Sequence, residues 1–273
     1  MKVVIFCGGM GIRMGDEAQR TPKPMIRIGN QPILWHIMKW YASWGHTDFI
    51  LCLGHKGEAI KEYFLRYDET LSNDFVLSDG GREIQLMSSD IQSWRITFAD
   101  TGLHSSIGGR MRAVRKHLGD DEMFLATYGD GVTDEPLNDA IEETRRRGKI
   151  ASFIAVRPSH TFHIVRFDDE QVVQNLYTVT DPTSDVWING GFFIFRREIF
   201  DYMQEGEDLV EEPFRRLVAD EQLLARRYEG FWSAMDTLKD KQILDTVWES
   251  GEVPWRVWEG SGRDRIPVRE LAP

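Results

Sequence analysis

Val3-Val4-Ile5-Phe6-Cys7-Gly8-Gly9-Met10-Gly11-Ile12-Arg13, with Thr21-Pro22-Lys23-Pro24-Met25 soon after, is the stretch on which the reading of this chain turns. A short apolar run such as Val3–Cys7 reads as a buried strand. It empties into a glycine-rich loop, where the missing side chains let backbone N–H groups approach a phosphate chain closely. Arg13 and Lys23 add positive charge around the same anion, and two prolines hold Lys23 in place. Gly8, Gly9 and Gly11 are therefore nucleotide-binding candidates, and Arg13 and Lys23 are the candidate catalytic cations. The pattern points to a nucleoside triphosphate and to nucleotidyl transfer.

The commoner glycine loops do not fit. A Walker loop needs Gly-x-x-x-x-Gly-Lys-Ser/Thr, which is absent. A dinucleotide fingerprint needs a third glycine where Met14 stands. A tight strand-to-helix turn with no ligand is the bland alternative.

Two aspartates extend the reading. The run Met123–Tyr128 is a second buried strand, and Asp130 falls just past its C-terminal end, where ligands of open α/β sheets bind. Gly129 and Gly131 leave room there for a metal and phosphates. Asp236 lies in Phe231-Trp232-Ser233-Ala234-Met235-Asp236-Thr237, immediately before a helix. It is either the N-cap of that helix or a second metal ligand. Magnesium takes one or two carboxylates and completes its shell with phosphates and water, which suits Asp130, Asp236 and Mg2+. Phosphoryl-type transfer then needs mostly positioning and charge neutralisation.

Composition bounds the rest. The 273 residues allow one large α/β domain or two small ones, and 41% hydrophobic with 28% charged residues is ordinary for a globular chain. A net charge of −11 argues against nucleic acid or anionic membrane as the main partner. No apolar run reaches the roughly 18 residues that a membrane span requires. The chain enters a strand at once, which argues against a signal peptide. The two cysteines, Cys7 and Cys52, lie in apolar strand-like runs, so neither a disulfide framework nor a zinc site is expected. A cytoplasmic location follows.

Strands and helices alternate through the first half. Strands are predicted at Val3–Cys7, Asp48–Leu53, Ile96–Ala99, Met123–Tyr128 and Ile150–Val156. Helices are predicted at Pro32–Trp44, Lys56–Tyr67, Gly109–Leu118 and Leu137–Arg147. Such βαβ alternation implies a largely parallel sheet. After Arg157 a hairpin is expected from Ile164–Phe167 and Val172–Tyr177, then a strand at Trp187–Phe195 and helices at Pro213–Asp220 and Leu238–Ser250. The fold class is α/β, a Rossmann-like mixed, mostly parallel sheet flanked by helices, with a smaller β-rich acceptor region. Residues 1–260 form one domain, with a nucleotide-binding half (1–157) and an acceptor half (158–260) sharing one sheet. Residues 261–273 are a polar tail. Trp248, Trp255 and Trp258 suit either a homo-oligomer interface or burial against the sheet.

With these residues in view, the chain resembles the sugar-1-phosphate nucleotidylyltransferases. The matching segments are GGMGIR (8–13), PKPM (22–25), QPILWHIMKWY (31–41), GHKGEAIKEYF (54–64), DTG (100–102), GGR (108–110), TYGDGV (127–132), INGGFF (188–193), GFW (230–232) and MDTLKDK (235–241). PILWHIMK, TYGDG and INGGFF lean towards the branch that uses CTP and glucose 1-phosphate. The resemblance implies in-line attack of an acceptor phosphate on the α-phosphorus of CTP, with pyrophosphate leaving. It implies Arg13 and Lys23 at the nucleotide, Asp130 and Asp236 at the metal, and Asn189 at the sugar.

Departures from the family pattern cluster on the acceptor side. Ile12 replaces the usual loop threonine. The family's Glu-Lys-Pro element, whose lysine grips the sugar phosphate, aligns near Tyr177 and Thr178, and neither is a cation. His163 stands where a glycine usually faces the sugar. Arg157, His160, His163 and Arg166 are candidate replacements, so an acceptor pocket altered from the glucose 1-phosphate pattern is expected. Three alternatives stay open: the same chemistry with dTTP, UTP or GTP; a non-catalytic binder of a nucleotide or nucleotide-sugar; and a glycosyltransferase of related architecture. The last would need Asp-x-Asp, and Asp130-Gly131-Val132 lacks the second aspartate.

Overall fold

The computed structural model describes residues 1–9, 21–158, 163–179 and 185–259. Gly11, Arg13, His160 and the 261–273 segment lie outside these residues.

Among the described residues, sixteen strands and six α-helices follow in chain order. They are β1 Val3–Phe6, β2 Arg27–Ile28, β3 Gln31–Pro32, α1 Ile33–Ser43, β4 Asp48–Leu53, α2 Gly57–Leu65, β5 Phe75–Ser78, β6 Glu83–Leu86, β7 Arg95–Asp100 and α3 Ile107–Val114. Then come β8 Met123–Tyr128, β9 Gly131–Thr133, α4 Leu137–Arg147, β10 Ala151–Val156, β11 His163–Phe167, β12 Val173–Thr178, β13 Ile188–Asn189, β14 Phe193–Arg196, α5 Glu212–Ala219, β15 Leu223–Tyr228, β16 Trp232–Ala234 and α6 Leu238–Glu249.

One twisted sheet carries the molecule, in the order β15, β10, β13 with β14, β8, β1, β4, β7. Only β13 and β14 run against the rest. The central strands alternate between two apolar layers. Val3 and Ile5 pack with α1, α4 and α6, while Val4 and Phe6 pack with α3 and α5. Strands buried on both faces need continuous apolar sequence, which is why Val3–Phe6 and Met123–Tyr128 look as they do. β10, β13, β14 and β15 belong to the same sheet as β1, β4, β7 and β8.

The predicted strand Trp187–Phe195 is in fact two. Register with β10 slips between Asn189 and Ile194, across Gly190-Gly191-Phe192. Gly191 and Phe192 hold φ of 77° and 49° there, a bulge that bends the strand. β5, β6, β9, β15 and β16 lie outside the expected elements. Leu223-Leu224-Ala225-Arg226-Arg227-Tyr228 hides its strand character behind two arginines. Arg226 is nonetheless buried, paired with the buried Glu135. The C-terminal tryptophans turn inward. Trp255 is fully buried against His36 and Phe231, and Trp248 and Trp258 pack on the same layer. Cys7 and Cys52 are both buried free thiols, and burial pushes the Cys52 thiol up to about 12.

Candidate active site

Between β1 and β8 the chain order reverses: β4 follows β1 on one side, and β8 flanks it on the other. Ligands of open α/β sheets bind at the carboxyl ends of strands at such a switch point. The candidate residues emerge there. Gly8 follows β1, and Gly129 follows β8 with its N–H donating to the Phe6 carbonyl at 3.1 Å.

Lys23 opens a single 3-10 turn, Lys23–Met25, closed by Met25 N to Pro22 O at 2.8 Å and Ile26 N to Lys23 O at 3.1 Å. A Cβ on Gly129 would sit 3.0 Å from the Phe6 oxygen and 3.1 Å from Pro24 Cγ. The glycine therefore lets the end of β8 close onto the turn that carries the lysine.

Asp236 arrives by a different route. β16 pairs antiparallel with β9, placing Ala234 opposite Gly131, and Met235 N donates to the Asp130 carbonyl at 2.8 Å. The helix that follows is capped by Thr237, whose side chain accepts from Asp240 N in a reciprocal capping box. Asp236 is thus not the N-cap, and its carboxylate is left to face Lys23. Lys23 Nζ donates to Asp130 Oδ2 at 2.5 Å and to Asp236 Oδ1 at 2.6 Å. Burial by itself would lower the ammonium's pKa, but the two carboxylates outweigh it and hold Lys23 above the ordinary lysine value.

Asp130 and Asp236 are also the pair that could hold a hard cation. Two carboxylates are held close together by a shared lysine, with no third His, Cys, Asp or Glu grouped with them among the described residues. That is the sparse oxygen set magnesium takes when phosphates and water complete its shell. Gly9 is exposed, and a Cβ there would meet nothing within 4 Å among the described residues, so packing gives no reason for a glycine.

Arg110, in the GGR segment, is a structural member that residue patterns do not single out. It is 3% exposed. Its guanidinium donates to Gly8 O (3.0 Å), Leu53 O (3.0 Å), Thr101 Oγ1 (2.7 Å) and Leu103 O (3.4 Å). One cation thus ties together the segments leaving β1, β4 and β7. A Cβ on Gly8 would collide with the Arg110 guanidinium, so this clamp leaves room there only for glycine.

The acceptor candidates divide. Asn189 Nδ2 lies 3.4 Å from the Tyr128 hydroxyl, which burial pushes up to about 12, and Asn189 Oδ1 accepts from Gly191 N at 2.9 Å. Asn189 therefore stands beside the strand that leads to Asp130. Arg157 lies over the Trp187 ring, 4.1 Å from its centroid. His163, Tyr177 and Thr178 sit on the separate β11–β12 hairpin, with His163 opposite Thr178 and Tyr177 opposite Ile164. Arg166 lies over the Tyr177 ring at 6.0 Å. Trp187 and Arg227 were not among the expected site residues.

A glucose-1-phosphate cytidylyltransferase of Salmonella typhi is 40% identical over 261 residues, covering 95% of this chain and all of that one. Its counterpart in Salmonella typhimurium is 39% identical over 260 residues, with the same coverage. A UDP-glucose pyrophosphorylase solved with UDP-glucose superposes with a TM-score of 0.65 at 13% identity, over 92% of this chain and 98% of that one. No helix among the described residues is long and apolar enough to cross a membrane. The sequence profile of nucleotidyl transferases matches residues 2–245, and the chain belongs to that family.

Proposed function

We propose that this protein transfers CMP from CTP to a sugar 1-phosphate or a related phosphorylated acceptor and releases pyrophosphate. The observation that carries the reading is the Asp130–Lys23–Asp236 bridge at the switch point of the sheet, in a chain 40% identical to a glucose-1-phosphate cytidylyltransferase. An acceptor phosphate oxygen attacks the α-phosphorus, forming one P–O bond. The bond from that phosphorus to the bridging oxygen breaks, and pyrophosphate carries the electron pair away. Lys23 neutralises charge on the triphosphate, and Gly8 and Gly9 are assigned to its binding together with Gly11 and Arg13, which lie outside the described residues. Asp130 and Asp236 would hold Mg2+, which supplies Lewis-acid neutralisation of the phosphates when bound. Arg110 keeps the Gly8 backbone in register with the neighbouring strand ends.

The acceptor side is read as altered from the glucose 1-phosphate pattern, because Tyr177 and Thr178 offer no cation. The test is pyrophosphate release from CTP and Mg2+ across a panel of sugar 1-phosphates and other phosphorylated metabolites. Release that requires CTP, Mg2+ and one acceptor supports the reading. Release with dTTP, UTP or GTP in preference to CTP overturns the choice of base. Tight CTP binding without release against any acceptor favours a nucleotide binder instead.

A further inference from the structure

The β11–β12 hairpin carries no cation at Tyr177 or Thr178, yet two arginines converge on Trp187 at the main sheet. Ala155 pairs with Asn189 on one side and Arg227 on the other, so Asn189, Ala155 and Arg227 form one lateral row. Residues in register across a sheet project from the same face. Asn189 reaches Tyr128 on that face. Arg157 follows β10 two residues after Ala155, and Trp187 precedes β13 two residues before Asn189, so both extend the same face by one step. The aromatic contacts agree: Arg157 lies 4.1 Å and Arg227 5.3 Å from the Trp187 ring centroid.

Direction places this group at the reacting end. β10 and β15 run parallel to β8, because only β13 and β14 are reversed. Arg157, Arg227, Trp187 and Asp130 therefore all stand at the carboxyl edge of one sheet. Between β10 and β8 lies only the β13–β14 strand, and neighbouring strands are about 4.8 Å apart.

The cluster already engages a carboxylate. Asp185 Oδ1 accepts from Trp187 Nε1 at 3.2 Å and lies 3.8 Å from Arg227. The side chains of Arg227 and Asp185 are 69% and 84% exposed, so this ion pair is weak and easily exchanged for another anion.

We propose that Arg157 and Arg227, ordered on Trp187, grip the phosphate of the acceptor in place of the lysine absent at Tyr177-Thr178. The inference rests on the reading of the protein as a transferase to a phosphorylated acceptor. Two planar guanidiniums suit a phosphate monoester dianion better than a single ammonium does. Asp185 is then a resident competitor for the same cations.

The experiment measures KM for glucose 1-phosphate and for CTP in the wild type and in Arg157→Gln, Arg227→Gln and Asp185→Asn, with isothermal titration of glucose 1-phosphate in parallel. Loss of one charged hydrogen bond predicts an acceptor KM raised about ten- to hundredfold in each arginine variant. KM for CTP should move less than about twofold, and Asp185→Asn should lower acceptor KM. Arg157→Lys and Arg227→Lys should restore part of the loss, which a purely structural role would not require. Unchanged acceptor KM in both Gln variants, with unchanged melting temperature, overturns the proposal. If the wild type releases no pyrophosphate, the reading of the reaction fails and the titration decides for the clamp. Binding of glucose 1-phosphate lost in both Gln variants upholds the clamp. Equal binding in the variants, or none in the wild type, overturns it.

Discussion

Lys23→Met removes the ammonium that bridges Asp130 and Asp236 and keeps most of the apolar stem. Each bond from a charged donor is worth roughly 1.5–3 kcal/mol. The Asp236 side chain is 42% exposed, so that bond counts at the low end. In the reaction, a lost cation at the transferring phosphates resembles a lost oxyanion donor, about 2.7–4 kcal/mol, so kcat should fall about a hundred- to thousandfold. Metal binding should move the other way. In the free protein a divalent cation must compete with Lys23 for both carboxylates. Removing the lysine should tighten Mg2+ binding without nucleotide by at least roughly tenfold, the equivalent of about 1.4 kcal/mol. Pyrophosphate release at saturating CTP reads the first effect, and calorimetric titration of Mg2+ reads the second. A kcat within about threefold of wild type would show that Lys23 is not on the triphosphate. Unchanged or weaker Mg2+ binding would show that these carboxylates are not the metal pair.

Three further expectations follow from the same geometry. Asp236→Asn should abolish transfer with little change in melting temperature, whereas Thr237→Ala should cost about 1 kcal/mol of stability through the lost cap and spare the metal. The opposite pattern would return Asp236 to a structural role. Arg110→Ala should destabilise by about 2–4 kcal/mol, since it strips the Gly8 carbonyl of a buried charged donor, and should raise KM for CTP. A variant with wild-type melting and wild-type KM would refute the clamp. His36 is fully buried, and burial lowers its pKa to about 4. The unfolded chain takes up a proton near pH 6.5 that the native state refuses, so stability is full above that pH and falls as pH drops towards 4. The loss should reach about 3 kcal/mol near pH 4, at about 1.4 kcal/mol per pKa unit. His46, lowered to about 4 by burial and the neighbouring N-terminus, acts in the same sense. Urea unfolding of His36→Gln should show a flatter pH profile than the wild type, and an equal slope would refute the assignment.

The parts of the site legible in the sequence were those whose chemistry lies within one short segment. Val3–Phe6 running into Gly8-Gly9, and Met123–Tyr128 running into Gly129-Asp130, announce buried strands that end in glycine, because strand burial needs apolar runs and close backbone approach needs glycine. Lys23 between its prolines was legible for the same reason. Asp236 was ambiguous, since an aspartate before a helix is equally a cap. Only the β9–β16 pairing and the Thr237 capping box free its carboxylate for Lys23.

The amino-acid sequence by itself determined the alternating α/β pattern and the family, because both are written in local periodicity and short motifs. Tertiary structure alone decided which distant groups touch. Arg110 joins the ends of three strands, Asp236 meets Lys23 from more than two hundred residues away, and Arg157, Trp187 and Arg227 gather at the ends of β10, β13 and β15. The physical reason is strand order and register. Pairing across a sheet sets which side chains share a face and an edge, and no local window of sequence carries that pairing.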